Sequence, residues 1–441
     1  MLTLLTVLLA TPMLIRGPVV VGVGSDRASI TWETSDRQQN GTVRFGASAG
    51  SYTGSVQDPS YAEHHHVQLT GLAPSTTIHF SIDTDANAED SSFTTAPLPG
   101  SRAPFKFVVY GDNRTEHAPH QTVVNAIRGE PDIAFLVHTG DMAENTYPTN
   151  LGWDNFFAIE HELLRSKPIF TTPGNHETLT DGFSHYAQFF AAPTFSWPTN
   201  TVKYGAYDWG NAHLVLLDTF DSSLPGVEGI SAAQLEWMKA DLDAAKSAGR
   251  QIFAVTHHGP YSHSNHGPNL QAQQLLVPEL TSRGARAIFQ GHDHVYERGC
   301  SGGIDYLIAG GGGAPLYSVD ANGAGVLKAI ADYSYVVVTV NGDAVTGEMK
   351  LTDGGVFDRF SLPTGVCSDG GVPDSGVPDA GAPDAGAPDG GSHDAGSDPD
   401  GGNATLSPGG CSCGSGPAAA WSLLPLSALL VALRSRRRRQ R

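Results

Sequence analysis

Five short motifs in the middle of the chain carry side chains that commonly bind metal ions. In chain order they read GDNR from Gly111, GD from Gly140, GNHE from Gly174, HHGPY from His257 and GHDHVYER from Gly291. Each motif follows an apolar run and contains a glycine, which lets the chain turn sharply at the end of a strand. Carboxylate, amide and imidazole ligands together suit metals such as Fe, Mn or Zn.

The segments around these motifs predict the elements that position them. The apolar runs FKFVVY, IAFLVHT, PIFTTP, QIFAVT and ARAIFQ are typical of buried strands. The segments QTVVNAIRG, NFFAIEHELLRS and SAAQLEWMKADLDAAKSAG have the apolar spacing of helices. This alternation over 104–362 predicts an α/β domain, in which ligands bind at the carboxyl ends of the strands.

Six side chains are then expected to converge in one crevice: Asp112, Asp141, Asn175, His257, His292 and His294. One such motif is a weak signal, because Gly-Asp is common and a lone histidine is usually structural. Five of them in order, each directly after an apolar run, predict a two-metal centre. A carboxylate shared by both ions would hold them about 3.5–4 Å apart, the spacing of two-metal hydrolases.

Residues 18–97 have a different pattern, with short alternating stretches separated by Gly, Asn, Asp and Ser. The stretches ASITWET, GTVRFG, HHVQLTGL and TIHFSI predict a small all-β sandwich with Trp32 in its core. The run His64, His65 and His66 suggests a metal site. Successive residues on a strand point to opposite faces, however, so a solvated strand edge is favoured over a shared ion.

Both ends of the chain have the composition of targeting segments. The apolar run within residues 1–17 predicts a signal peptide, with a buried N-terminal strand as the alternative. Residues 363–409 form an Asp/Pro/Gly/Ala-rich spacer that cannot build a core. Residues 410–441 contain Cys411 and Cys413, a short apolar run and an arginine cluster, which predict a sorting signal or membrane anchor. We therefore expect an exported protein, secreted or attached to the cell surface or outer membrane through its C-terminus.

Composition excludes several other classes of protein. The 441 residues carry a net charge of −19, which argues against a nucleic-acid-binding surface. Four cysteines are too few for a disulfide-based scaffold. For Cys300 and Cys367, the sequence leaves open whether they pair in an oxidising compartment.

The motif series resembles the calcineurin-like metallophosphoesterase superfamily. The β domain in front resembles a fibronectin type III domain, and GHDHVYER is similar to the purple acid phosphatase branch. The resemblance implies a multidomain chain whose catalytic domain has two mixed β-sheets flanked by helices. It also implies two divalent or trivalent metal ions, drawn from Fe, Zn and Mn. The C-terminal segment resembles the MYXO-CTERM sorting signal.

Carried over residue by residue, the resemblance assigns a role to each motif. Metal 1 would be held by Asp112, Asp141 and His294. Metal 2 would be held by Asp141, Asn175, His257 and His292, with the shared aspartate bridging the ions. His176 would act on the substrate phosphate or the leaving group.

Two positions depart from the family pattern. Arg114 stands where the superfamily commonly has His and purple acid phosphatases have Gly, and it is expected to bind the substrate phosphate. A structural ion pair with Asp or Glu is the alternative. Glu144 stands where purple acid phosphatases have a tyrosine that colours them, and it would either ligate metal 1 or leave the place to water. Tyr147 lies nearby but out of register.

The remaining polar residues of these motifs receive weaker assignments. His266 is expected to act as a substrate or acid residue, or to be a solvated loop histidine, and His263 is a weaker candidate. His258, Tyr296 and Glu297 are expected to support the ligands from behind. His213 is expected to be structural.

The sequence therefore predicts an exported two-metal phosphoesterase. The expected reaction is the hydrolysis of phosphate monoesters of small molecules by a hydroxide that the metals hold. A phosphodiesterase or nucleotide hydrolase of the same fold is one alternative. The other is a cell-surface binding protein whose metal site is vestigial.

Overall fold

The computed structural model describes residues 13–83, 89–144, 151–178, 182–190, 203–221 and 228–364. Its strands are β1 (Leu14–Val21), β2 (Arg27–Gly46), β3 (Gly54–Thr70), β4 (Thr77–Ile82), β5 (Ser91–Thr94), β6 (Phe105–Tyr110), β7 (Ile133–His138), β8 (Ile169–Thr171), β9 (Gly205–Trp209), β10 (Ala212–Leu216), β11 (Gln251–Val255), β12 (Ala287–Gln290), β13 (Tyr296–Ser301), β14 (Ile304–Ala309), β15 (Val326–Ile330), β16 (Ser334–Asn341), β17 (Ala344–Leu351) and β18 (Val356–Leu362). Its helices are α1 (His117–Arg128), α2 (Leu151–Leu164), α3 (Asn175–Thr178), α4 (Gly182–Phe190), α5 (Ala232–Ser247), α6 (Leu270–Leu275) and α7 (Val277–Ser282).

Two mixed sheets form the centre of the molecule, as the sequence predicted. The first has the order β18-β17-β16-β6-β7-β8-β1-β2-β4-β5, with β3 paired to β2. The second has the order β15-β13-β14-β12-β11-β10-β9. The motif-bearing strands β6, β7 and β8 are parallel neighbours in the first sheet, and β11 and β12 are parallel neighbours in the second. Their carboxyl ends therefore deliver the motifs to common edges.

Aromatic and β-branched side chains fill the space between the sheets. Phe107 and Phe135 stack with ring centroids 4.9 Å apart, and Phe253 and Phe289 meet Phe107 from the second sheet at 6.0 Å. All four are fully buried. Helices α1 and α2 pack on the outer face of the first sheet, and α5 to α7 pack on the second. The predicted helix and strand segments are confirmed in this arrangement.

The N-terminal β-rich domain is built on one long hairpin. Strands β2 and β3 pair from Arg27 opposite Thr70 to Phe45 opposite Gly54. Strand β1 pairs with the first half of β2, while β4 pairs with its second half. Trp32 is fully buried in its core and stacks on His65, which confirms it as a core residue.

This domain is continuous with the first sheet. Strand β1 pairs with β8 in parallel, through Val21 and Ile169. Arg16, within β1, is buried and forms ion pairs with Glu33 and, at 2.5 Å, with Asp154 of α2. Residues 14–17 thus belong to a strand here, and the boundary of a signal peptide after residue 17 stays a prediction.

Several predicted features lie outside the described residues. These are residues 1–12, Tyr147, residues 365–409 of the spacer, which include Cys367, and the whole 410–441 segment with Cys411 and Cys413. Cys300 is disulfide-bonded, but the other three cysteines all lie outside the described residues, so its pairing with Cys367 stays a prediction. Among the described helices, none is long and apolar enough to cross a membrane.

Candidate metal centre

The five motifs meet where the parallel strands end. Asp112 follows β6, Asp141 follows β7, and Asn175 opens α3 just after β8. From the other sheet, His257 follows β11 and His292 follows β12. Four of these side chains are buried and Asn175 is half-buried, which places polar ligands in a water-poor crevice.

The backbone at these positions is unusual. Asp112, Asp141 and His292 lie in the left-handed region, with φ values of 59°, 55° and 73°. For residues other than glycine this conformation costs about 1–3 kcal/mol each, and it is typical of functional sites. The glycines before them provide space instead: a Cβ on Gly111 would lie 2.0 Å from a threonine oxygen, and one on Gly291 would lie 2.5 Å from Asp112 Oδ2. In these two motifs the positive φ falls on the residue after the glycine, whereas Gly140 itself has a φ of 98°.

Four side chains form the metal-2 group: Asp141, Asn175, His257 and His292. His257 Nε2 lies 3.1 Å from Asn175 Oδ1 and 3.3 Å from Asp141 Oδ1. His292 Nδ1 lies 3.1 Å from both Asn175 Oδ1 and His257 Nε2. Ligand atoms of the aspartate and the two histidines all fall within 4.8 Å of one another.

Hydrogen bonds on the far side of two rings fix which nitrogen faces the centre. His257 Nδ1 lies 2.8 Å from the carbonyl oxygen of Thr139, and His294 Nδ1 lies 2.7 Å from that of Pro315. A carbonyl oxygen can only accept, so each Nδ1 donates, and each Nε2 faces the centre with its lone pair available when the ring is neutral. This arrangement orients histidine ligands at metal sites.

Asp112 lies on the other half of the centre with His294. Its two carboxylate oxygens accept from the backbone N–H of His292 at 3.0 and 3.1 Å. His294 Nε2 lies 3.8 Å from Asp112 Oδ1. We call Asp112, Asp141, His294 and Glu144 the metal-1 group.

Arg114 lies within the metal-1 group. Its Nε donates to Asp141 Oδ2 at 3.1 Å, and its two terminal nitrogens lie 3.4 Å from Glu144 Oε2 and 3.3 Å from His294 Nε2. The side chain is 16% exposed. Arg114 thus forms ion pairs with Asp141 and Glu144, which was the alternative expectation for this residue. A role at the substrate phosphate stays a prediction.

Burial and neighbouring charges strongly shift the pKa values of the side chains in the centre. Burial alone would raise the pKa of Asp141, but His257, His176 and Arg114 hold it well below its ordinary range. Burial would lower the pKa of His257, yet Asp141 and Asp112 raise it to about 9. Burial lowers the pKa of His294 to about 4, with Arg114 adding to the effect. The carboxylate of Asp141 and the imidazole of His257 therefore stabilise each other's charged forms.

The residues of the metal-2 group fit a metal ion. His257 Nε2, His292 Nδ1 and Asn175 Oδ1 lie 3.1 Å from one another. The amide oxygen can only accept, and a proton on one imidazole nitrogen can bond to only one of the other two atoms, so hydrogen bonds cannot satisfy all three contacts at once. One carboxylate, one amide oxygen and two imidazoles form a donor set for Fe, Mn or Zn. The metal-1 group offers three carboxylates and one imidazole, but it shares its space with a guanidinium.

His176 and Glu144 lie beside Asp141. His176 Nε2 is 3.8 Å from Asp141 Oδ2, and its Nδ1 is 3.8 Å from Glu144 Oε1. Burial lowers the pKa of His176. Glu144 also accepts from Thr115 Oγ1 at 2.9 Å. The structure thus places both residues next to the metal-1 group, and their catalytic and ligand roles stay predictions.

His266 lies at the rim of the centre. Its ring centroid is 4.0 Å from that of His292, and its Nδ1 is 3.0 Å from Asp293 Oδ1. Asp293 also accepts from the backbone N–H of His266 at 3.0 Å and from Ser262 Oγ at 2.5 Å. This histidine is therefore fixed by a buried carboxylate, although it is 38% exposed.

The other histidines named from the sequence within 104–362 pair with carboxylates, and of these His258 also contacts the centre, with its ring centroid 4.3 Å from that of His292. His258 contacts Glu228 at 2.6 Å, and His263 contacts Glu297 at 2.9 Å. His213 bridges Asp208 and Asp241 at 2.9 and 2.8 Å. Tyr296 donates to Asp358 of β18 at 2.8 Å, so it ties the last motif to the edge of the first sheet. Along β3, His65 faces the core while His64 and His66 lie on the other face.

Sequence reasoning missed three residues of the centre. Glu177 is buried, and its carboxylate accepts backbone N–H bonds from both ligand loops. Asp293 orients His266. Tyr317 stacks on His294 with ring centroids 4.0 Å apart, from a glycine-rich loop that gave no signal. Glu177 and Asp293 lie within the motifs GNHE and GHDHVYER, and this position was the sequence feature that could have indicated them.

Known proteins share both parts of this chain. Residues 105–296 match the calcineurin-like phosphoesterase family, and residues 18–95 match the N-terminal domain of purple acid phosphatases. Probable purple acid phosphatase 20 from Arabidopsis thaliana is 24% identical over 297 residues, covering 63% of this chain and 67% of that protein. Purple acid phosphatase 15 from the same plant is 26% identical over 267 residues, covering 53% and 49%. The chain thus spans about half to two thirds of the length of these relatives.

The fold is also found in a solved structure. A purple acid phosphatase from yellow lupin (Lupinus luteus) seeds superimposes with a TM-score of 0.64 at 18% identity, covering 80% of this chain and 74% of that one. At this identity the likeness shows a shared fold. The family match and the converging ligands imply a dimetal centre of the purple acid phosphatase type. The chain therefore has a calcineurin-like metallophosphoesterase domain behind the N-terminal domain of the purple acid phosphatases.

Proposed function

We propose that this protein is a metal-dependent phosphoesterase that hydrolyses phosphate monoesters of small molecules. The observation that carries the proposal is the convergence of Asp141, His257 and His292, whose ligand atoms lie within 4.8 Å of one another beside Asn175. These residues come from four separate motifs and two sheets. A vestigial site, as in a surface binding protein, has no need of such convergence.

Metals bound here would supply Lewis acidity, lowering the pKa of a water molecule and neutralising phosphate oxygens. The chain contributes the remaining groups. Asp141, Asn175, His257 and His292 would hold one ion, while Asp112, His294 and Glu144 would join Asp141 around the other. Asp141 would therefore touch both.

Three further side chains are proposed to act on the substrate. Arg114 has a planar guanidinium that suits two phosphate oxygens once it is released from its present partners. Burial lowers the pKa of His176, so its neutral ring would stabilise the leaving group by donating an N–H, and protonation of the leaving group would require the imidazolium form. His266, held through Nδ1 by Asp293, would present Nε2 to the substrate. A group fixed in this way loses little freedom when the substrate arrives.

Hydrolysis of two chromogenic substrates tests the proposal. The metal-loaded full chain should hydrolyse p-nitrophenyl phosphate faster than bis(p-nitrophenyl) phosphate, and a reversed preference would favour the phosphodiesterase alternative. Asp141→Asn should abolish hydrolysis and reduce bound metal. Asp343→Asn, which changes an exposed carboxylate paired with Arg102, is the matched control. Full activity and two bound metals in Asp141→Asn would refute the two-metal proposal.

We also propose that the enzyme is exported and tethered through its C-terminus. Export is supported by the apolar N-terminal run. Processing and attachment near the C-terminus are supported by the acidic spacer, the two cysteines Cys411 and Cys413, the apolar segment and the arginine cluster. Processing at one of the cysteines would leave the enzyme at the cell surface. Fractionation of the native host should find it there. A variant with both cysteines changed to alanine that still matures normally would contradict a sorting signal.

A further inference from the structure

Arg114 and Glu144 are the two positions at which the motifs depart from the family pattern, and they contact each other. Arg114 Nη1 lies 3.4 Å from Glu144 Oε2, although the two residues are 30 positions apart. Thr115 Oγ1 donates to the same carboxylate oxygen at 2.9 Å. The two departures therefore form one structural unit, in which a carboxylate holds the guanidinium in place.

The guanidinium uses the lone pairs that a metal ion in the metal-1 group would need. Arg114 Nε donates to Asp141 Oδ2, and its Nη2 faces His294 Nε2. His294 Nδ1 already donates to a carbonyl oxygen, so Nε2 is its single lone pair. A lone pair that accepts an N–H bond is not available to a cation at the same time.

Of the four metal-2 residues, Asp141 is the one that Arg114 contacts, and it does so through Oδ2. The carboxylate of Asp141 divides between the two halves, with Oδ1 3.3 Å from His257 Nε2 and Oδ2 facing Arg114. None of the contacts that the structure gives Arg114 involves His257, His292 or Asn175. The two halves of the centre therefore differ in what a metal ion must displace.

We propose that Arg114, anchored by Glu144, is a built-in competitor for metal 1. Metal 2 binds to a preformed ligand set, whereas metal 1 binds only after the guanidinium has left Asp141 and His294. The protein consequently takes up its ions in two unequal steps, with metal 2 tight and metal 1 weak. The inference rests on the proposed metal centre, and it makes Arg114 a determinant of how many ions the enzyme carries.

Metal binding tests this inference without any catalytic measurement. The metal-stripped full chain is titrated with Mn²⁺ by equilibrium dialysis, and bound metal is quantified directly. Wild type should show one tight ion and a second that binds at least about tenfold more weakly, about 1.4 kcal/mol. Arg114→Ala should strengthen the second step by about tenfold or more and leave the first step nearly unchanged.

Two further variants keep the result interpretable. Arg114→Gln removes the charge at similar length, and it should behave like Arg114→Ala if the alanine variant folds poorly. Arg102→Ala removes an exposed arginine from its ion pair with Asp343 and controls for the change in net charge. An unchanged second step in both Arg114 variants would overturn the inference, as would equal strengthening in Arg102→Ala. Failure of the proposed metal centre has a different signature, because no Mn²⁺ would then bind at either step, and failure of the proposed monoesterase activity appears separately in the hydrolysis assay.

Discussion

Glu177→Gln probes how the two ligand loops are held together. The Glu177 carboxylate is 1% exposed and accepts four backbone N–H bonds. Its Oε2 accepts from Asp141 and Gly174, both at 2.8 Å, and its Oε1 accepts from Met142 at 2.9 Å and Ala143 at 3.4 Å. A glutamine amide has nearly the same shape. Its NH₂ group must nevertheless face two of these N–H donors whichever way the amide turns.

The expected loss follows from that count of donors. Two buried N–H groups lose their acceptor, at about 1–3 kcal/mol each, so the free energy of unfolding should fall by about 2–6 kcal/mol. This is a large part of the usual stability of a folded domain, about 5–15 kcal/mol. The same loops carry Asp141 and Asn175, so metal affinity should fall by about 10–100-fold, as for other residues that orient ligands.

Urea unfolding of the metal-stripped full chain measures the first effect, and Mn²⁺ titration measures the second. Glu236→Gln is the matched control, because Glu236 is 74% exposed on α5 and pairs with Lys239. Its midpoint should equal that of wild type. A Glu177→Gln protein with both the midpoint and the metal affinity of wild type would refute the view that this carboxylate holds the loops.

Three further predictions concern packing, pH and colour. Gly174→Ala would place a Cβ 2.1 Å from Asp141 Oδ1, so metal analysis should find the proposed centre depleted, and full occupancy would contradict the packing argument. Burial alone would lower the pKa of His213, but its ion pairs with Asp208 and Asp241 raise that pKa from 6.5 to about 9. Its contribution to stability is therefore complete below pH 6.5 and is lost as the pH rises through about 9. The difference in urea midpoint between wild type and His213→Gln should accordingly shrink from pH 6 to pH 10, and a constant difference would argue against the ion pairs. The iron-loaded protein should lack an intense visible charge-transfer band; a band that disappears in Tyr317→Phe would show that this phenol reaches the metal.

The sequence determined the nature of the fold and the identity of the motifs because both depend on local patterns. An apolar run followed by Gly-Asp predicts a buried strand and a polar turn without knowledge of the neighbouring strands. This is how the segments before Asp112 and Asp141 were recognised as strands β6 and β7. The helical spacing of residues 231–249 likewise predicted α5, which Ser231 begins by accepting an N–H bond from Gln234.

Strand pairing was decided only by the tertiary structure. Nothing in the local sequence of β1 indicates that Val21 pairs with Ile169, 148 positions away, and joins the N-terminal domain to the first sheet. An N-terminal apolar segment fits a strand edge or a targeting segment equally well by composition. The choice depends on which sheet edge is free nearby, and that is a property of the assembled fold.

The contacts of the centre were likewise beyond the sequence. The side-chain conformation of Arg114 depends on Asp141, Glu144 and His294, which lie 27, 30 and 180 positions away. Whether a guanidinium reaches a substrate or closes on neighbouring carboxylates is set by the distances among these groups. Tyr317 belongs to an irregular loop without periodicity, so its stacking on His294 had no local pattern to reveal it. Local sequence thus supplies the ligand types, while long-range packing decides which lone pairs face one another and which are already taken.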